Sequence, residues 1–389
     1  MNNFNWDKFF LNNYGTPKIE LVEGEGVVVK DSQGNIYLDF LSGIAVNSLG
    51  HAHPVIVEAV NKQISQLSHT SNFYANKPAL DLAEKLIEIS RLDAKVFFCN
   101  SGAEANEAAL KLTRRTGKKK LLSANGSFHG RTIGALSITG QLAKQKPFKP
   151  LLSGIKFIDI NTKSAVRKIK RNTAAIFLES IQGEGGVVPC SDEFLTNIRQ
   201  KTLKTKTLMI MDEVQTGMGR TGDWFGYEQS KIKPDVITLA KGLGAGLPMG
   251  ALLVAGDAKD LFEPGQHGST FGGNPVVASA ALATIKFIEK ENLLVNVANM
   301  GKLLGELLGQ VQGVKEVRGR GLLLGVCLDN LSAKDVEAEC KNLGLLINAV
   351  TEDTLRIAPA FIVNIEQVQR CAEIIEDAIK NVSKLVQQK

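Results

Sequence analysis

Cysteine is scarce in this chain, and its distribution says as much as its number. The five cysteines, Cys99, Cys190, Cys327, Cys340 and Cys371, are scattered, odd in number and never spaced as CxxC. That pattern argues against a disulfide framework or a zinc site and fits a reducing, cytoplasmic setting. Cys99 and Cys327 lie in apolar runs and read as core thiols. No apolar run reaches the length of a membrane span. The first residues, Met1-Asn2-Asn3-Phe4-Asn5-Trp6-Asp7, lack the regions of a signal peptide, so no membrane partner is expected. Charge is not massed either. A formal charge of +6 over 389 residues slightly favours anionic ligands, and the one dense run, Lys118-Lys119-Lys120 after Arg114-Arg115, falls at a predicted helix end. Cations suit the dipole there, and nucleic acid is not an expected partner. His51 and His53 have no third ligand nearby, so no metal is expected. Internal repeats and low-complexity segments are missing.

What is present is an ordinary globular composition, 44% hydrophobic and 22% charged, in a chain long enough for two domains. A short helix is expected over 6–14, then β-like segments at 21–30 and 35–40 joined by the turn Asp31-Ser32-Gln33-Gly34. Helices follow from Pro54 to about 67 and over 77–90. From there strand and helix alternate, with strands at 96–99, 121–124, 155–158, 174–178, 207–211, 236–239 and 251–255. This is an α/β pattern, a mainly parallel seven-stranded sheet with helices on both faces. After Phe271-Gly272-Gly273-Asn274-Pro275 the texture changes. Helices are expected at 276–290, 293–310, 333–342 and 365–383, and strands at 314–318, 322–328, 345–349 and 354–357. This reads as a smaller α+β domain. The expected division is an N-terminal segment, 1–45, packing on the small domain, a large domain at 46–271 and the small domain at 272–389.

Ligands of open α/β sheets sit beyond the carboxyl ends of the strands. Four candidate groups lie there. Ser101-Gly102-Ala103 opens a helix, where amide groups and dipole suit a phosphate and Ser101 adds a hydroxyl donor. Phe128 can cover a planar ring. Asp212 ends an apolar run and needs a cation or donor. Lys241 ends another, and four glycines follow it within nine residues, Gly242, Gly244, Gly246 and Gly250. A phosphate, a ring, a protonated ring nitrogen and an aldehyde trapped by a lysine together describe pyridoxal 5′-phosphate. Lys241 is the expected covalent anchor and the general base and acid. Asp212 is the expected partner of the ring nitrogen. The glycines are expected to let backbone pass close to the anchored group.

Further motifs accompany these: Leu38-Asp39-Phe40-Leu41-Ser42-Gly43-Ile44-Ala45-Val46-Asn47, Asn100-Ser101-Gly102-Ala103-Glu104-Ala105-Asn106-Glu107, Phe128-His129-Gly130-Arg131-Thr132, Gln182-Gly183-Glu184-Gly185-Gly186 and Asp212-Glu213-Val214-Gln215-Thr216-Gly217-Met218-Gly219-Arg220-Thr221-Gly222. In these, and over nearly its whole length from about Tyr14, the chain resembles the class III (subgroup II) pyridoxal-phosphate aminotransferases of fold type I. Within that family the Gly43-Ile44-Ala45-Val46-Asn47 form is most similar to the acetylornithine subgroup. The resemblance implies that Gly102 and Ala103 bind the phosphate, that Phe128 stacks on the ring with Val214 on the other face, and that Gln215 approaches the ring hydroxyl. It implies that Thr270 reaches the cofactor phosphate of a neighbouring subunit, hence a homodimer with shared active sites. It further implies that Ser269, in the Gly268-Ser269-Thr270 stretch, contributes to the substrate site.

The implied reaction moves the δ-amino group of N2-acetyl-L-ornithine to 2-oxoglutarate, giving L-glutamate and N-acetyl-L-glutamate 5-semialdehyde, a step of arginine biosynthesis. Other ω-amino donors (succinylornithine, N-succinyl-diaminopimelate, ornithine, 4-aminobutyrate) and a pyridoxal-phosphate aminomutase are the alternatives. Arg131 resembles the arginine that holds the distal carboxylate, with Tyr14 assisting. Arg356 resembles the one that grips glutamate's α-carboxylate. Glu184 resembles the residue that pairs with Arg356 when that carboxylate is absent, because an unpaired buried cation is costly. Ser180 stands where the family commonly has proline, and a hydroxyl there is expected to loosen the turn before Glu184.

Overall fold

Seven strands form the central sheet of the computed structural model, which describes residues 5–387. Their order across the sheet is Ala94–Cys99, Gly250–Ala255, Val236–Leu239, Leu208–Asp212, Thr173–Leu178, Lys120–Ala124 and Ile155–Ile158. Six run parallel, and Gly250–Ala255 runs antiparallel to both of its neighbours. The expected sheet is therefore present with one strand reversed. Thr173–Leu178, Val236–Leu239 and Gly250–Ala255 are buried along their whole length. Continuous apolar runs rather than alternation follow from helices covering both faces. Because six strands point one way, the residues after Cys99, Ala124, Leu178, Asp212 and Leu239 emerge on one edge. The reversed strand enters from that edge, which brings Pro248 and Met249 there as well.

A second, antiparallel sheet is built from Val314–Arg320, Leu323–Leu328, Thr354–Ile357 and Asn348–Ala349. Helices Leu293–Gly309, Ala333–Asn342 and Ile365–Gln387 accompany it. A third sheet joins Leu21–Glu25, Val28–Asp31 and Ile36–Asp39 to Leu345–Leu346, which pairs parallel with Ile36–Asp39. Val27, Phe40 and Leu49 belong to one buried cluster with Leu304, Leu322, Ile357 and Phe361.

The departures have local causes. The helix expected over 6–14 is only Trp6–Phe9, none of whose residues is buried. Packing, more than propensity, extends a helix. The segment 21–30 is two strands, because Gly26 takes φ 57° and turns the chain back. The segment 345–349 is divided between two sheets, Leu345–Leu346 in one and Asn348–Ala349 in the other. His51 is used by Asp39, with Nε2 2.8 Å from Oδ2, and His53 packs edge-on against Phe287 at 4.6 Å. All five cysteines are free and buried. Among the described residues no helix is long and apolar enough to cross a membrane.

Candidate active site

The edge where the parallel strands end holds a cavity of about 470 Å³. Ser101, Gly102, Ala103, Phe128, Arg131, Glu184, Asp212, Val214, Gln215 and Lys241 all line it. These residues come from five separate strand ends, so only the sheet brings them together.

Ser101 is the N-cap of the helix Gly102–Arg114, its Oγ accepting the Glu104 amide at 3.2 Å. Glu104, three residues on, accepts the Asn100 amide at 2.5 Å, a variant of the capping box. The cap uses an Oγ lone pair and leaves the hydroxyl proton free to donate into the cavity. The amides of the first turn and the helix dipole complete an anion cradle. A Cβ on Gly102 would meet Val214 at 2.9 Å, so glycine lets the turn lie against that side chain.

Asp212 closes the floor. Its Oδ2 accepts from His129 Nδ1 at 2.6 Å and from Asn106 Nδ2 at 2.8 Å, and its Oδ1 from the Val214 amide at 3.0 Å. Asp212, His129 and Asn106 are all buried. Burial works against a charged His129, but the bond to Asp212 and the charges of Asp212 and Glu179 outweigh it and raise its pKa. Glu179, the next strand-end carboxylate, also lines the cavity and accepts the Phe128 amide at 3.1 Å. Burial pushes it up to about 7, against the pull of His129. His129, Asn106 and Glu179 are site residues that the sequence reading gave no role. His129 and Asn106 sit inside quoted motifs, and that was the only signal available.

Lys241 begins a short 3₁₀ turn directly after Val236–Leu239, held at φ 45° in the left-handed region. A non-glycine residue there carries strain that the surroundings must hold. The side chain is half-buried, and its Nζ makes no hydrogen bond or ion pair among the described residues. Burial and then the Arg356 charge lower its pKa to about 8, despite Glu184, Asp212 and Glu179. A larger share of neutral amine follows, which is what a nucleophilic lysine needs. Two of the glycines after it answer to protein backbone: a Cβ on Gly244 would strike the Leu247 carbonyl and one on Gly250 the Ser101 carbonyl. Gly242 and Gly246 face the side chains of Ser48 and Asn47, and only Gly246 of the four lines the cavity.

At the other end, Arg356 on the buried strand Thr354–Ile357 donates from Nη1 to Glu184 Oε1 at 2.6 Å and to Gln215 Oε1 at 3.2 Å. Asn348 accepts from its Nε at 3.2 Å. Arg356 is 1% exposed, whereas the Glu184 side chain is 26% exposed. Burial pushes Glu184 up, but Arg356, Lys241 and Lys144 together bring its pKa below the usual value. Arg131 is exposed and lies 5.5 Å from the Phe128 ring centroid, with no carboxylate partner among the described residues. Gln215 is thus engaged by Arg356 in this structure.

Ser180 does not behave as expected. Its hydroxyl donates to Glu213 Oε1 at 2.6 Å and contacts Thr216 Oγ1 at 3.1 Å. Glu213 is buried and also takes the Gly226 amide at 2.7 Å. The hydroxyl therefore ties the turn down rather than loosening it. The chain before Val46 is also unforeseen: Ser42, Gly43, Ile44 and Ala45 all have positive φ, from 51° to 69°. Such a left-handed turn costs about 1–2 kcal/mol per non-glycine residue. It sets Val46 in the cavity wall. Tyr14 and Thr270 are outside the cavity lining, Tyr14 being 85% exposed. Ser269 Oγ accepts from Asn100 Nδ2 at 3.2 Å, anchoring the Thr270 loop beside the cradle.

The family model for aminotransferase class-III matches residues 10–379. An acetylornithine aminotransferase of Corynebacterium efficiens is 49% identical over 376 residues, covering 94% of this chain and 93% of the relative. The structure of N-acetylornithine aminotransferase from Stenotrophomonas maltophilia superposes with a TM-score of 0.84 at 33% identity, over 97% of this chain and 98% of that one. Ornithine aminotransferase from Toxoplasma gondii, with partial occupancy of pyridoxal phosphate at its active site, gives 0.91 at 30% identity, over 97% and 93%. The chain is a member of the class-III aminotransferases.

Proposed function

We propose that this protein is a pyridoxal-phosphate-dependent transaminase that moves the δ-amino group of N2-acetyl-L-ornithine to 2-oxoglutarate. The products are N-acetyl-L-glutamate 5-semialdehyde and L-glutamate, a step of arginine biosynthesis. One observation carries the reading: Glu184, which lines the cavity with Arg131 and Lys241, pairs at 2.6 Å with the buried Arg356 behind it.

The residues fit the cofactor. The cradle at Ser101, Gly102 and Ala103 suits its phosphate, and Thr270 of a second subunit would add to it. Phe128 and Val214 supply apolar walls for a ring, and Gln215 is at hand for its hydroxyl. Asp212 suits a protonated ring nitrogen, and the orphaned buried atoms Asn106 Oδ1 and His129 Nε2 mark a polar floor. When bound, pyridoxal phosphate supplies an aldehyde and an electron-withdrawing ring. Lys241 Nζ would hold it and would then move the proton to and from the reacting carbon. His129 and Asn106 hold Asp212 in one orientation. Arg131 takes the carboxylate distal to the reacting carbon in either substrate, and in this reading Tyr14 and Ser269 assist it. Glutamate brings a second carboxylate beside that carbon, and Arg356 takes it as a planar two-point contact. Acetylornithine brings none, and Glu184 then satisfies Arg356. Pairing Arg356 in both half-reactions avoids an uncompensated buried cation.

A homodimer with shared sites is part of this reading. Phe73, Tyr74 and Phe271 are 92%, 73% and 59% exposed, an apolar surface that suits a second copy. Five buried free thiols suit a reducing cytoplasm. The deciding experiment is a kcat/KM panel with 2-oxoglutarate as acceptor and acetylornithine, succinylornithine, N-succinyl-diaminopimelate, ornithine and 4-aminobutyrate as donors. Acetylornithine should lead. A leading rank for any other donor would replace it in the reading.

A further inference from the structure

Glu184 has two cations within ion-pair distance, not one. Its Oε1 pairs with Arg356, while its Oε2 lies 3.9 Å from the Nζ of Lys144. Lys144 lies on the short helix Leu142–Gln145, half-buried, with Nζ 5.2 Å from the Phe128 ring centroid. It donates to Gln141 Oε1, a flexible neighbour on its own turn. Resting on the two-substrate reading above, we propose that Lys144 is a positioning residue that receives Glu184 when Arg356 is taken by the α-carboxylate of glutamate or 2-oxoglutarate.

The physical need is plain. Once a substrate carboxylate occupies Arg356, Glu184 must leave it. A displaced carboxylate beside an incoming one repels it, unless a second cation holds it away. Lys144 already stands on the opposite oxygen, and a movement of about 1 Å turns 3.9 Å into a charge-assisted hydrogen bond. The lysine stem can make that movement, because four rotatable bonds carry its ammonium group. Its surroundings favour accepting an anion: burial lowers its pKa, and Arg131 and Arg356 add to that while Glu184 and Glu179 oppose. Glu184 bound to Lys144 would relieve this.

A rival role is that Lys144 joins Arg131, above the same Phe128 ring, in holding the distal carboxylate. Both substrates carry that carboxylate, so the two roles separate in the half-reactions. The holoenzyme and its Lys144→Met and Lys144→Arg variants should be followed in single turnovers with acetylornithine and with glutamate, and with 2-oxoglutarate on the aminated form. Lys144→Met should weaken apparent binding of glutamate and 2-oxoglutarate about tenfold, as a partly buried charge pair allows. Maximal rates should stay within about twofold, and the acetylornithine half-reaction, which also reports correct folding, should be no slower. Lys144→Arg should recover most of the loss. Equal losses with both donors, or none with either, would overturn the role of Lys144. A wild-type enzyme that fails to react with glutamate would overturn the two-substrate reading and this proposal with it.

Discussion

Two ion pairs of equal length border one cavity, the second of them through its carboxylate alone. His129–Asp212 and Arg356–Glu184 are both 2.6 Å. The first is dry on both sides, with side chains 0% and 3% exposed, and Asn106 and Val214 add further donors to the same carboxylate. The second has one dry partner and one at 26% exposure, with another cation waiting on the free oxygen. Distance alone does not separate a fixed element from a movable one. The number of donors on the carboxylate and its access to water do. The fixed end suits a resident group that never changes, and the movable end suits two substrates that differ by a carboxylate.

The contrast can be broken experimentally. Lys241→Ala, between the two ends, should lower turnover by about 10⁴-fold or more while circular dichroism stays native, as loss of a general base and covalent anchor implies. Retained turnover would remove Lys241 from the chemistry. Asp212→Ala strands a buried imidazole and should cost about 3–5 kcal/mol in denaturant unfolding of the ligand-free protein. Glu184→Ala leaves Arg356 with Asn348 and Gln215 and opens it toward solvent where the 26%-exposed carboxylate stood, and should cost no more than about 2 kcal/mol. Equal costs would show that the two pairs are not different in kind. In single turnovers Glu184→Ala should slow the acetylornithine half-reaction about tenfold more than the glutamate one. Ser180→Ala takes a hydrogen bond from a buried carboxylate and should cost about 1–3 kcal/mol with little effect on kcat.

The pH response of Lys241 sharpens the same contrast. Its pKa is lowered to about 8 from the ordinary 10.5, so the neutral amine grows as pH rises through 8 rather than 10.5. Capture of pyridoxal phosphate by ligand-free protein should accelerate over about pH 7 to 9, followed by absorbance. Arg356→Met removes the second-largest cause of the shift and should move that midpoint upward.

The strand ends carrying Ser101, Asp212 and Lys241 were legible because an apolar run stopped by a polar residue has few other meanings in an α/β pattern. Glu184 and Arg356 were legible only as motif positions, since 172 residues separate them. His129 meets Asp212 across 83 residues, and Asn106 meets it across 106, which no periodicity encodes. Lys144 gave no signal at all, being one lysine in a polar stretch. Ser180 was misjudged because the hydroxyl's partners, Glu213 and Thr216, arrive from another strand end.

The sequence by itself determined the alternation of strand and helix, the polar stops at the strand ends and the glycines at sharp turns. These are local consequences of side-chain period, burial and backbone freedom. Tertiary structure decided the reversal of Gly250–Ala255, the left-handed turn at Ser42–Ala45 and the partner of every buried charge. Those depend on which surfaces meet once the sheet closes, and a charge finds its counter-ion by distance in space rather than along the chain.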